Sequence, residues 1–277
     1  MRPAAVADRD TPVSQFLPWL LATLCLVGAG TAQADTLGNL RTTLSRLQGS
    51  APVVGSLTIT QHTRDGEGAK ARRSEATLTL DVASARGLRI HVPAPALATA
   101  ARERAAAQAD PERPTPTADL LSAIGSVQVL RMLDVAANLQ LSLADAKLLK
   151  DTPTTLDGAP AQELTFDLPL RVSKSDRSKV KHYRSTLSLW QSPQGTPLAY
   201  ITNTDTEAGW LFLDFTMKRN ESVRLAVTEG RLIATRLDLD QQTSGLGQHG
   251  ATRTTYVLDL QTVPAAAQTV PAQGTAR

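Results

Sequence analysis

A mostly apolar run from Phe16 to Val27 gives way, at Asp35, to apolar residues at helical spacing, and from Val53 to alternation with a period of two. Leu37, Leu40, Leu44 and Leu47 form one stripe with Arg41 and Arg46 off it, so a helix is expected over 35–48, stopped by Gly49 and Pro52. Beyond it, Val53 to Ile59 alternates like a strand, Asp65-Gly66 supplies a turn, and the chain returns through Ala76 to Val82. Arg86 to Val92 reads as a third strand, closed by Pro93 and Pro95. Residues 96–117 are alanine-rich with alternating charges and end in Pro111, Pro114 and Pro116, which predicts a loose, exposed helix and a stiff linker inserted into the domain. A helix capped by Thr117 is expected from Asp119 to about Asp134, with Leu120, Leu121, Ile124, Val127, Leu130 and Leu133 as a broad apolar face.

The remainder reads as strands. Leu139, Leu141 and Leu143 alternate with polar neighbours, and Asp157-Gly158 separates that strand from Glu163–Leu170. Ser185–Gln191, a Ser192–Gly195 turn, Leu198–Asn203, Gly209–Lys218, Ser222–Thr228, Arg231–Asp240 and Ala251–Thr262 follow, with Glu229-Gly230 as a tight turn. Short connections between consecutive strands imply antiparallel pairing. The fold class is therefore α+β: a strongly curved antiparallel sheet, a half-barrel, with an N-terminal helix and inserted helices on its concave face. The segment Trp210 to Met217 is apolar on both faces at its start, and two readings stay open. Either one face meets the core and the other a helix, or Trp210 and Phe212 line a concave apolar cavity able to shelter an acyl chain.

Composition refines the address. Arg2 and Arg9 precede the apolar run, and Ala32-Gln33-Ala34 offers small residues to a signal peptidase, so residues 1–34 read as an export signal cleaved after Ala34, and a periplasmic location follows. The run is about a dozen residues, short of the roughly 20 a spanning helix needs, so no membrane-spanning segment is expected. Cys25 lies inside this leader, and the bulky Leu24 before it argues against lipidation. Cleavage leaves 277 − 34 = 243 residues without cysteine, which excludes disulfides and thiolate chemistry. A single domain over 35–263 and a disordered tail over 264–277 are expected. The charge of +3 fits an anionic partner weakly, and the 4% aromatic content is low for a stacking carbohydrate module or an outer-membrane barrel.

Little points to catalysis, a cofactor or a metal. His62, His91, His182 and His249 lack ligand spacing, and no Gly-x-Ser-x-Gly elbow occurs. Gly245-Leu246-Gly247-Gln248-His249-Gly250 matches the dinucleotide fingerprint in letters only, since the strand-like alternation of Thr252–Leu260 follows where a helix is required. Arg171, Lys174, Arg177, Lys179, Lys181 and Arg184 form a basic cluster. It reads as a solvated hairpin loop or as a dock for an anionic membrane surface or envelope protein, each cation contributing about 1 kcal/mol near a charged leaflet. Nucleic acid is not expected as a partner.

This order of elements resembles the LolA/LolB-like periplasmic lipoprotein carriers, whose fold the RseB-type sensor domain shares. Asp35–Gln48 matches the opening helix, Val53–Val92 the first strands, Asp119–Asp134 a plug helix and Ser185–Thr262 the closing meander. The resemblance implies a non-enzymatic protein that holds a lipid or the acyl chains of a lipoprotein between sheet and helix. By it, Leu120, Ile124, Val127, Trp210 and Phe212 become cavity candidates. The alternatives are a sensor or regulatory module that binds a protein without lipid cargo, and a structural accessory of an envelope complex.

Overall fold

The computed structural model describes residues 35–66, 72–84, 87–210, 213–245 and 248–261. The expected leader over 1–34, Cys25, the tail over 264–277 and Phe212 lie outside the described residues.

Helix α1 (35–46) ends two residues short of the expected 35–48, because Gln48 bridges to Arg231, and its stripe delivers Leu40 and Leu44 to the core. Strands β1 (Val54–Asp65), β2 (Arg72–Ala83) and β3 (Arg89–His91) follow, then helices α2 (Ala94–Ala109), α3 (Pro116–Ala123), α4 (Ser126–Leu133) and α5 (Val135–Leu143). Strands β4 (Lys147–Leu156) and β5 (Ala159–Asp167), the short α6 (Lys174–Arg177), and β6 (Val180–Gln191) to β7 (Pro197–Trp210), β8 (Leu213–Thr228), β9 (Arg231–Gly245) and β10 (Gln248–Leu260) complete the chain. All ten strands join one antiparallel sheet in the order β3-β2-β1-β10-β9-β8-β7-β6-β5-β4. The fold is thus α+β, and the sheet is not closed into a barrel, because β3 and β4 are free edges.

A flat sheet of this width would span roughly 43 Å at about 4.8 Å per strand pair. Yet one apolar cluster joins Leu78 and Leu80 of β2 to Leu164 and Phe166 of β5, near the opposite edge. Residues so far apart along the sheet share a core when the sheet curls around the helices, which the twist of long strands and bulges at Leu148/Lys150 and Arg224/Leu225 favour. The helical connection from β3 to β4 carries the chain from one edge to the other across this concave face.

The tight turns fall where their residues require them. Asp157 and Gly158, like Glu229 and Gly230, both adopt positive φ, the geometry of two-residue hairpins. Gly49 sits against the second of these turns: a Cβ there would lie 2.8 Å from the Gly230 carbonyl carbon and oxygen, so glycine lets the end of α1 meet the start of β9.

Five sequence expectations need correction. The helix expected over Asp119–Asp134 is two helices, with extended backbone at Ile124 and Gly125 between them, where glycine's conformational freedom weakens a helix. Pro116 starts the first of these, so Thr117 lies inside the helix and not at its cap. Leu139–Leu143 is helix α5: Leu139 and Leu143 are buried with Val135 and Ala136 while Leu141 is exposed, a period of four that a five-residue window cannot separate from two. The apolar stretch from Trp210 to Met217 is not one strand, since Trp210 pairs with Leu213 and the chain reverses between β7 and β8. Finally, α2 is not loose: it packs on α3, and Glu103 accepts a hydrogen bond at 2.9 Å from the Ala118 N–H in the first turn of α3.

Candidate functional site on the concave sheet face

The concave face changes character along its strands. In the lower half Leu57, Ile59, Leu78, Leu80, Leu237, Val223, Leu187 and Leu189 point inward and are buried beneath the helices. Farther up, the same inward register continues as Gln61 and Thr63 on β1, Thr252 on β10, Gln241 and Thr243 on β9, Met217 and Phe215 on β8, Thr204 and Thr206 on β7, and Tyr183 on β6. These are half-exposed or exposed, as on a free sheet face. The helices thus cover the apolar half and leave open a mixed half in which hydroxyls and amides predominate.

Glu221 of β8 lies on the boundary, with 5% of its surface exposed. A buried carboxylate is costly unless it is paired and hydrogen-bonded. Three groups supply the pairing. Arg219, two residues back on the same strand face, donates through Nη2 to Oε2 at 2.7 Å. Tyr200 of β7 donates its hydroxyl to Oε1 at 3.2 Å. Arg131 reaches down from α4 and places Nη2 3.7 Å from Oε1. Two guanidiniums against one carboxylate leave the cluster at 2 − 1 = +1. Arg131 and Arg219 keep 43% and 29% of their side chains exposed, so the excess charge is within reach of solvent. Burial, then the charge of Glu221, pushes the Tyr200 phenol above its ordinary range, and burial does the same to Tyr256 of β10. Both therefore stay neutral hydrogen-bonding groups through physiological pH. One turn before Arg131 on α4, the amide nitrogen of Gln128 is buried with no hydrogen-bond partner among the described residues.

A second arginine fixes the far end of α4. Arg231, 8% exposed, donates to the Leu133 carbonyl at 2.9 Å, the Ala51 carbonyl at 2.9 Å, Ser84 Oγ at 3.1 Å and Asp134 Oδ1 at 2.6 Å. Helix α4 is thereby pinned at its C-terminus, whereas its N-terminal turn carries the exposed Val127.

The sequence-derived cavity candidates do not share one surface. Leu120 is fully buried in the core, Ile124 is partly buried against it, and Val127 is 68% exposed at the rim. Trp210 is placed by its backbone at the end of β7. The basic cluster is divided too. Arg171 pairs with Asp145 at 3.2 Å, Lys179 with Asp176 at 2.9 Å, and Lys181 with Asp214. Arg177 donates to the Leu170 carbonyl. Arg184 lines a groove of about 380 Å³ on the opposite sheet face with Asp205, Lys218 and Asn220, while Lys174 has no acidic partner among the described residues. Sequence reading missed Glu221, Arg219, Arg131 and Tyr200. The one signal on offer was a carboxylate, Glu221, two residues before the apolar Val223 on the same strand face and opposite Leu239 of β9.

No group of three or more His, Cys, Asp or Glu side chains among the described residues could hold a metal ion. The region Gly245–Gly250 joins β9 to β10, so its glycines lead into a strand. No described helix is long and apolar enough to cross a membrane. Comparison with protein-family models, curated proteins and solved structures finds no match to this chain.

Proposed function

We propose that the protein is an exported, non-enzymatic carrier or chaperone, like the LolA/LolB family it resembles, that holds a lipid or lipidated ligand against the concave face of its sheet. The observation that carries this reading is the division of that face into an apolar half beneath short helices and an open half richer in polar side chains, with a charged cluster on the line between them. An amphiphile has the same division: its chains need shelter from water and its headgroup needs hydrogen bonds.

The covering layer also has the form such a carrier needs. Helices α3 and α4 are eight residues each, joined through extended backbone at Ile124 and Gly125. Displacing them about the Arg231 anchor would uncover Leu57, Ile59 and Leu237, and acyl chains would replace the lost side-chain contacts. Ile124, at the joint and against the core, is the residue whose polarity decides whether those chains can enter.

The expected result for Ile124→Asp is loss of at least about tenfold in uptake of a fluorescent fatty acid or phospholipid, because burying an unpaired charge beside the chains costs more than the 1.4 kcal/mol that a factor of ten represents. Circular dichroism and a cooperative unfolding transition confirm that the variant is folded. Wild-type uptake by a folded Ile124→Asp protein would exclude the apolar half as the chain site and favour a protein-binding module without lipid cargo.

A further inference from the structure

We propose that Arg131 and Arg219 form the seat for a lipid headgroup of net charge −1, with Glu221 as its built-in competitor. This inference rests on the ligand reading above and specifies the class of ligand.

Charge decides the first part. The cluster carries one net positive charge on the concave face and is partly exposed, so it attracts a headgroup of net charge −1 more strongly than a zwitterion, whose phosphate stands beside its own cation. Position decides the second. The arginines sit where the inward register changes from Val223 and Leu237 to Thr204, Gln241 and Thr243. A headgroup held there leaves its chains over the apolar half and its polar remainder among hydroxyls and amides.

Geometry supplies the donors. Arg131 approaches the Oε1 side of Glu221 from the helix layer, and Arg219 approaches Oε2 from the sheet. An anionic headgroup that meets both guanidiniums takes the place the Glu221 carboxylate now holds, and guanidinium forks suit carboxylate and phosphodiester oxygens alike. The 3.7 Å separation of Arg131 from Glu221 is longer than a hydrogen bond, so Arg131 is the less committed of the two and the one free to turn to a ligand. The unpartnered Gln128 amide lies on the same flank of α4, at a spacing of three residues, and offers a further donor.

The test is calorimetric titration of the protein with short-chain phosphatidylglycerol and with phosphatidylcholine of the same chains, both below their micelle concentrations. The wild type is expected to prefer phosphatidylglycerol by about tenfold, the size of one charge-assisted hydrogen bond. Arg131→Gln and Arg219→Gln should each cut that preference below about threefold, with a smaller loss for phosphatidylcholine than for phosphatidylglycerol. Glu221→Gln removes the competitor and raises the cluster to two positive charges, so it should tighten phosphatidylglycerol binding, a gain that general damage to the fold would not produce. Equal affinity of the wild type for both lipids, or a preference that survives Arg131→Gln and Arg219→Gln, overturns the headgroup seat and leaves the carrier reading standing. Failure of both lipids to bind the wild type overturns the carrier reading itself.

Discussion

Arg231→Ala is expected to destabilise the protein by about 3 kcal/mol in urea unfolding, the lower end of the range for breaking a buried charged network. The side chain is nearly enclosed and serves four acceptors from three parts of the chain: the end of α4 at Leu133 and Asp134, the segment before β1 at Ala51, and Ser84 after β2. Truncation leaves two carbonyls and a hydroxyl without that donor, and each unsatisfied buried group costs roughly 1–3 kcal/mol. Two features keep the figure at the low end. Asp134 is half-exposed and can turn to water, and a cleft beside Leu47, Leu133 and Arg231 lets solvent approach. Asp134→Asn alone should therefore cost under about 1 kcal/mol, as for other exposed pairs. Arg231→Lys should recover only part of the loss, because an ammonium cannot span the same fork of acceptors. A change below 1 kcal/mol in Arg231→Ala would mean that the arginine does not hold α4, and the pivot assigned to it would go.

Phe166→Ala carries the other large expected effect, about 3–5 kcal/mol. Phe166 is fully enclosed on β5, paired with Leu187 on β6 and Leu148 on β4, in the apolar half of the concave face. Its informative partner is Phe215→Ala. Phe215 lies on the same face of the sheet but in the open half, 44% exposed, and its removal should cost no more than about 0.5 kcal/mol. The contrast measures the division of the face, since the two phenylalanines lie on one side of one sheet, one enclosed beside Leu148 and Leu187 and the other exposed beside Ala208 and Gly245. Equal losses would show that the upper half is packed in solution and cannot receive a ligand.

Much of this architecture was legible in the chain because local signals agreed with it. The stripe of Leu40 and Leu44, the Asp157-Gly158 and Glu229-Gly230 turns, and the meander of long strands all follow from periods and turn chemistry that act over a few residues. Where the signal was short or shared, it failed. Leu139, Leu141 and Leu143 satisfy a helix and a strand alike, and tertiary packing chose the helix. Strand β4 carries Pro153 and few apolar residues, which an edge position tolerates but a sequence pattern hides. The candidate site was the least legible part. Arg131, Tyr200, Arg219 and Glu221 come from three elements, and only pairing β7 with β8 and laying α4 across them brings the four together. The aromatic pair at Trp210 and Phe212 looked more conspicuous because it is contiguous, although its stretch spans a strand reversal.

The most direct test of the central claim is native mass spectrometry of the protein purified from its own host, followed by organic extraction. The account predicts a complex heavier than the polypeptide, which loses a lipid or lipidated peptide on extraction, with an anionic headgroup on the released molecule. A mass equal to the bare chain, together with no uptake of added phospholipid, would contradict it.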